Sequence, residues 1–264
     1  MPVILIVMLT GCLSSMANSP TTSDATFWSE LRKLSQQSRT EGKKCDALFK
    51  PVEEKAGRPV DDKPEAVYFQ SKETALQVLL GLQQYPGQPA STSKAYMMIR
   101  DSLPANSDVD LQAMTFIGSC SSIRMFKLYK WLIESTRHYP FSKPEQNAVR
   151  DSVLSYLKKN MNGPLPLIGV MIDIALLRQA SDSGLLSIGA DRQTDLIALR
   201  KESDSTRERA RSRSSKWSSS FRIDQMDKLP ISEKREIAST VQLDLKDANT
   251  LQKKLEALVA GLTP

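Results

Sequence analysis

Histidine is almost missing from this chain: 264 residues contain one, His138. It stands in Arg137-His138-Tyr139-Pro140 at the end of a predicted helix, where a basic side chain complements the negative end of the helix dipole. A single imidazole, with no cysteine or acidic cluster at ligand spacing, offers no zinc or transition-metal site. A Ser-His-Asp triad would have to use His138, and no Gly-x-Ser-x-Gly elbow accompanies it. The Gly-x-Gly-x-x-Gly and P-loop patterns that cradle phosphates are missing as well. Acidic pairs do occur, Glu53-Glu54 and Asp61-Asp62, but in a charged, proline-flanked stretch that reads as a solvated surface loop. The expectation is a protein that is not an enzyme, with no catalytic residues, metal, cofactor or small-molecule substrate.

Long apolar runs and early charge are the next shortages. Nothing after Cys12 has eighteen consecutive apolar residues, so no later segment reads as a membrane span. Residues 1–23 carry no charge, and no Lys or Arg precedes Arg32. The start is instead the apolar run Pro2–Leu9, which matches the core of a secretion signal and is too short to cross a bilayer as a helix. It leads into Leu9-Thr10-Gly11-Cys12. Small residues followed by that cysteine resemble the lipobox of bacterial lipoproteins, in which the signal is cut before the cysteine and the thiol takes a diacylglyceryl group. The resemblance implies a signal peptide over residues 1–11 and Cys12 as the lipid anchor. Two or three acyl chains such as palmitate, at ~0.8 kcal/mol per buried methylene, hold a protein on a membrane far better than one. Leu13, rather than an aspartate, after the anchor implies the outer membrane, facing the periplasm. Without that resemblance, Met1–Leu9 is an apolar N-terminal strand or helix.

The remainder has an ordinary globular composition, 40% hydrophobic and 25% charged, and is long enough for one sizeable core or two small ones. The formal charge is +6, all of it after residue 23. Such an excess favours anionic partners: acidic headgroups, cell-wall polymer, acidic protein faces and, last for an envelope protein, nucleic acid. With Cys12 acylated, Cys45 and Cys120 are left as a pair. Outside the cytosol they are expected to form a disulfide, worth about 4 kcal/mol for so long a loop in the entropy model. The alternative is two buried reduced thiols among apolar neighbours.

Residues 12–23 are small, polar and broken by Pro20, and read as a flexible tether. A helical body is expected over residues 24–190. Trp28, Leu31 and Leu34, then Cys45, Leu48, Phe49 and Val52, lie at helical spacing before Gly57-Arg58-Pro59. A second helix opens near Thr74 and stops at Tyr85-Pro86-Gly87; a short third spans about Ser93–Ser102. Ser107-Asp108-Val109-Asp110 has the form of a capping box, with Val109, Ala113, Ile117, Cys120 and Ile123 inward along a long helix to His138. Ser142-Lys143-Pro144-Glu145 opens the next helix, and Leu165–Leu186 is the expected core helix. No alternating run long enough for a strand occurs. The fold class expected is all-α, a helical bundle.

Over residues 191–264 the pattern changes to a polar helix and a heptad-like one. From Arg200 to Lys216 the only apolar residue is Ala210, and a helix polar all round is solvent-bridging or not stable alone. Val241, Ala248, Leu255 and Leu262 form one heptad series and Ala238, Leu245 and Val259 the other, with Gln252 as a break. A coiled coil and packing on the body explain them equally. The arginine-serine stretch is a solvated helix face, a docking surface for an acidic partner or lipid, or an RNA-binding segment with Trp217 and Phe221 to stack on bases. The candidate partner-binding residues are Arg200, Arg207, Arg211, Trp217 and Phe221.

Beyond the lipobox, residues 140–240 carry Ser142-x-Pro144-Glu145, the Gly163-Pro164 break, Leu176-Leu177, Asp191-Arg192, Asp195-Leu196, Leu199-Arg200 and Met226-Asp227-Lys228-Leu229. This arrangement resembles the outer-membrane lipoprotein QseG and its relatives, accessory proteins of the QseE–QseF sensor-kinase system of enteric bacteria. Residues 50–120 depart from that pattern, with the cysteines further apart. The resemblance implies regulation by contact with the periplasmic part of an inner-membrane sensor histidine kinase, with Asp195–Leu262 as the contacting part. The alternatives are a structural or assembly lipoprotein of a secretion or other envelope complex, and a cytosolic RNA-associated protein.

Overall fold

Capping residues, prolines and glycines punctuate the chain into a sequence of helices packed around two hydrophobic clusters. The computed structural model describes residues 22–56, 60–63, 66–104, 110, 113–114, 122–214 and 229–262. Among them are α1 (Thr22–Ala56), β1 (Val60–Lys63), β2 (Ala66–Tyr68), α2 (Lys72–Gln83), α3 (Ala90–Ser102), α4 (Ser122–His138), α5 (Lys143–Asn160), α6 (Leu167–Asp182), α7 (Ala190–Ser214) and α8 (Ile231–Ala260). The fold is an all-α helical bundle, as its apolar spacing predicts.

Helix α1 is long enough, at 35 residues, to serve two clusters. Its first half buries Trp28, Leu31 and Leu34 with Ala95 and Ile99 of α3 and Ile237 of α8. Its second half buries Cys45, Phe49 and Ala56 with α2 and α4. On α2, Ser71 caps the helix by accepting the Thr74 N–H at 3.1 Å. Gly81 lets α1 approach: a β-carbon there would meet Val52 Cγ2 at 2.5 Å.

Two expectations need correction. The sequence shows no strand signal, yet β1 and β2 form a short antiparallel hairpin with Val60 opposite Tyr68. Strands of 4 and 3 residues are too short to establish an alternating pattern. Tertiary contacts hold the segment that follows: the Phe69 N–H donates to Ser135 Oγ at 3.1 Å, and the Tyr139 hydroxyl donates to the Phe69 carbonyl at 2.9 Å. His138 stacks on Tyr68, ring centroids 3.8 Å apart. Glu53 and Glu54, read as loop, sit within α1, and Glu53 pairs with Arg124 of α4 at 2.8 Å.

The second correction concerns the long helix expected from Ser107. Residues 113–114, inside that expected helix, form a turn, and the described part of α4 is Ser122–His138. Asp110 caps that turn, its Oδ1 accepting the Ala113 N–H at 3.0 Å. Ile123, placed on the inward face by spacing, is 62% exposed. Residues 107–109, Ile117 and Cys120 lie outside the described residues.

Helix α5 opens on the predicted capping box: Glu145 accepts the Ser142 N–H at 2.6 Å, and Pro144 occupies the first turn. Helix α6 is the central element, touching α4, α5, α7 and α8. Helix α7 is not a free bridge, because Leu196, Leu199, Ser203 and Thr206 form a buried stripe at helical spacing. Small hydroxyl residues let it lie close to α6 and α8, a stripe invisible to a search for large apolar side chains. On α8, Ala248, Leu251, Leu255 and Val259 enter the same core as α4–α6, so body packing rather than a coiled coil accounts for the heptads. No core boundary falls at residue 190.

Candidate docking face on helices α6, α7 and α8

Burying Leu196, Leu199, Ser203 and Thr206 fixes the rotation of α7 and turns its arginines outward. Arg207 lies beside Leu167, Ile168 and Met171, whereas Arg200 lies beside Ala175, Arg178 and Asp182. Helix α7 therefore runs back along α6, with Arg200 at one end of the seam and Arg207 and Arg211 at the other. Arg207 and Arg211 rim one groove of about 460 Å³, whose apolar wall includes Tyr96, Ile168, Met171, Val241 and Leu245. Arg200 belongs to a separate hollow of about 320 Å³ with Glu134, Arg137 and Arg178. The structure thus brings two of the sequence-singled residues together and sets the third apart. Trp217 and Phe221 lie outside the described residues, as does Cys12, for which the lipobox resemblance implies an anchor.

Each of these arginines pairs with a carboxylate of α7 itself. Arg200 meets Asp204 at 3.1 Å, Arg207 meets Asp204 at 3.3 Å, and Arg211 meets Glu208 at 3.2 Å. The Arg207 and Arg211 side chains remain 46% and 67% exposed, where pairs of this kind contribute only about 0.3–0.5 kcal/mol. Arg213 differs. It joins α7 to α8 by contacts of 2.5 Å to Asp244 and 2.8 Å to Asp247. Burial works against its charge, but the hydrogen bonds to Asp247 and Asp244 outweigh that and raise its pKa. Burial also raises the Asp244 carboxyl, with Arg213 offsetting part of the effect.

Two polar residues that spacing did not single out hold this face in place. Gln252, read as a heptad break, is buried; its Oε1 accepts the Leu165 N–H at 3.0 Å and its Nε2 donates to the Gly163 carbonyl at 2.9 Å. It clasps the connection from α5 to α6. Asp173 is fully buried in α6. Asn160 Nδ2 donates to its Oδ2 at 2.7 Å, Tyr156 also bonds to it, and the Tyr85 hydroxyl donates to Asn160 Oδ1 at 3.1 Å. Asp173 Oδ1 has no hydrogen-bond partner among the described residues. Burial pushes this carboxyl up to about 7, and the bonds from Asn160 and Tyr156 offset only part of the rise. The signal in the sequence was one carboxylate inside the most apolar helix.

A cavity of about 180 Å³ beside this network is lined by Tyr85, Tyr129, Ser152, Tyr156 and Lys159. Burial raises the Tyr156 and Tyr129 hydroxyls well above their ordinary range. Among the described residues no group of three His, Cys, Asp or Glu could hold a metal ion, and no helix is long and apolar enough to cross a membrane. Cys45 is buried and engaged, and Cys120 lies outside the described residues. The arrangement on α6–α8 can bind: it offers an apolar recess with cations at fixed positions on its rim.

No family model, curated protein or solved structure matches the chain.

Proposed function

We propose that this protein is a non-enzymatic accessory lipoprotein of the bacterial envelope that acts by touching another protein. The acylated thiol of Cys12 anchors it to the outer membrane, facing the periplasm, and a Cys45–Cys120 disulfide braces the bundle. Its partner, by the resemblance to the QseG group, is the periplasmic part of an inner-membrane sensor histidine kinase. The observation that supports this reading most is the fixed presentation of Arg207 and Arg211 beside an apolar groove, on a helix locked from behind by its buried stripe. A rigid surface of this kind can bias a kinase, because a partner shifts an on–off equilibrium only through its different affinity for the two states.

Deleting α7 and α8 is a poor test, since both supply core residues. Photo-crosslinking in intact cells from a probe replacing Lys201, which is exposed on α7, leaves the core untouched. A sensor-kinase periplasmic segment in the crosslinked product is the expected result. Recovery of secretion or assembly subunits alone would transfer the protein to the structural reading. Mass spectrometry of the purified protein tests the anchor: an intact Met1 with an unmodified Cys12 thiol defeats the lipoprotein reading.

A further inference from the structure

We infer that the groove between α3, α6, α7 and α8 receives an amphipathic helix of a partner protein that carries two carboxylates one helical turn apart. The inference deepens the contact reading above and takes from it only that a protein partner exists.

The groove has the proportions of a helix site. Its volume of about 460 Å³ compares with roughly 150 Å³ for a cavity that accepts a benzene ring, so it has room for about three apolar anchors. A helix presents such anchors at i, i+3 or i+4, and i+7. Among the described residues the recess is open: Ile168 at its edge is 55% exposed. Arg207 and Arg211 stand four residues apart on α7, which places them on one side, about 6 Å apart along the axis. Two carboxylates at the same spacing on an incoming helix would meet both. The Arg207–Asp204 and Arg211–Glu208 pairs join exposed neighbours on one helix, and an incoming carboxylate can compete with such pairs.

Charge sets the class of occupant. The charged residues that line the groove are Arg207, Arg211 and Asp244, and Asp244 is already held by Arg213, so an acidic ligand is favoured. Yet Asp204, Glu208 and Asp244 are interleaved with those arginines at the groove. A uniformly anionic membrane or a nucleic-acid backbone would meet these carboxylates as well as the guanidinium groups. A helix with two placed carboxylates need not, and only a folded partner places charges singly.

The test uses the full chain in neutral phosphatidylcholine nanodiscs and two synthetic sixteen-residue helical peptides. Both peptides carry leucines at i, i+3 and i+7; one has glutamates, its twin lysines, at two flanking positions one turn apart. Fluorescence anisotropy is expected to show the glutamate peptide binding at least tenfold tighter than the lysine twin. The double variant Arg207→Glu with Arg211→Glu should reverse that preference, and Ile168→Arg should weaken the glutamate peptide at least tenfold. All three positions are at the surface, so circular dichroism should be unchanged. No binding, equal binding of the twins, or a preference that survives the double reversal would overturn the inference. So would tight binding to phosphatidylglycerol vesicles, lost on double reversal, while the peptides fail to bind. If the peptides behave as expected but crosslinking finds no kinase, the groove stands and the kinase reading falls.

Discussion

Asp173 offers the most quantitative handle on this molecule. It is fully buried in α6, and its pKa rises from 3.8 to about 7. At 1.36 kcal/mol per pKa unit, its ionised form is disfavoured in the folded state by about 4 kcal/mol relative to the unfolded chain. Because the folded protein holds this proton more tightly, the stability it contributes is fully present below pH 4. That stability is lost as pH rises through about 7, and the loss is complete above it. Glu73, Asp101 and Glu145 pull the other way, their pKa values being lowered by hydrogen bonds and nearby cations. A comparison with Asp173→Asn cancels them. In that variant the amide oxygen still accepts from Asn160 and Tyr156, and the amide nitrogen occupies the place of the orphaned Oδ1. Urea unfolding followed by circular dichroism should find wild type losing about 3–4 kcal/mol relative to Asp173→Asn between pH 4 and pH 8.5. The variant should be the more stable of the two at the alkaline end. A stability difference that stays flat across that range, or that grows in favour of the wild type as pH rises, would refute the account of this buried carboxyl.

Three further outcomes follow from packing and crosslinks. Gln252→Ala should cost about 2–4 kcal/mol, because the Leu165 N–H and the Gly163 carbonyl lose their partners inside the protein; a lowered urea midpoint and faster amide exchange at Leu165 would register it. Gly81→Ala gains about 1 kcal/mol of helix propensity but forces its methyl against Val52, so the net effect should be a loss of about 1 kcal/mol. With Val52→Ala also present, the same substitution should become stabilising, which thermal unfolding can check. Reducing the proposed Cys45–Cys120 bond should lower stability by about 4 kcal/mol, and thiol alkylation of the unreduced, denatured protein should leave both residues unlabelled.

Punctuation was the legible part of this fold. Ser142 with Glu145, and the breaks at Gly57-Arg58-Pro59 and Gly163-Pro164, mark helix ends within a few residues, because capping and proline geometry are local effects. What depended on distant neighbours was not legible. Phe69, directly after the β1–β2 hairpin, is anchored by Ser135 and Tyr139, some 70 residues away along the chain. Ser203 and Thr206 look like solvent residues until α6 and α8 lie against them. Gln252 looked like an interruption because its partners are backbone groups of another segment, which no side-chain pattern encodes. For the candidate face, the arginines could be named in advance, but the apolar recess beside Arg207 and Arg211 is assembled from four helices.

Helix α8 runs for 30 residues and lays Ala248, Leu251, Leu255 and Val259 into the core it shares with α4–α6. A polypeptide is made, and threaded through any pore, from its beginning. Helices α4–α6 therefore emerge before α8, and until it follows them their apolar faces lack its cover. A stop codon within α8 would leave those faces bare for good.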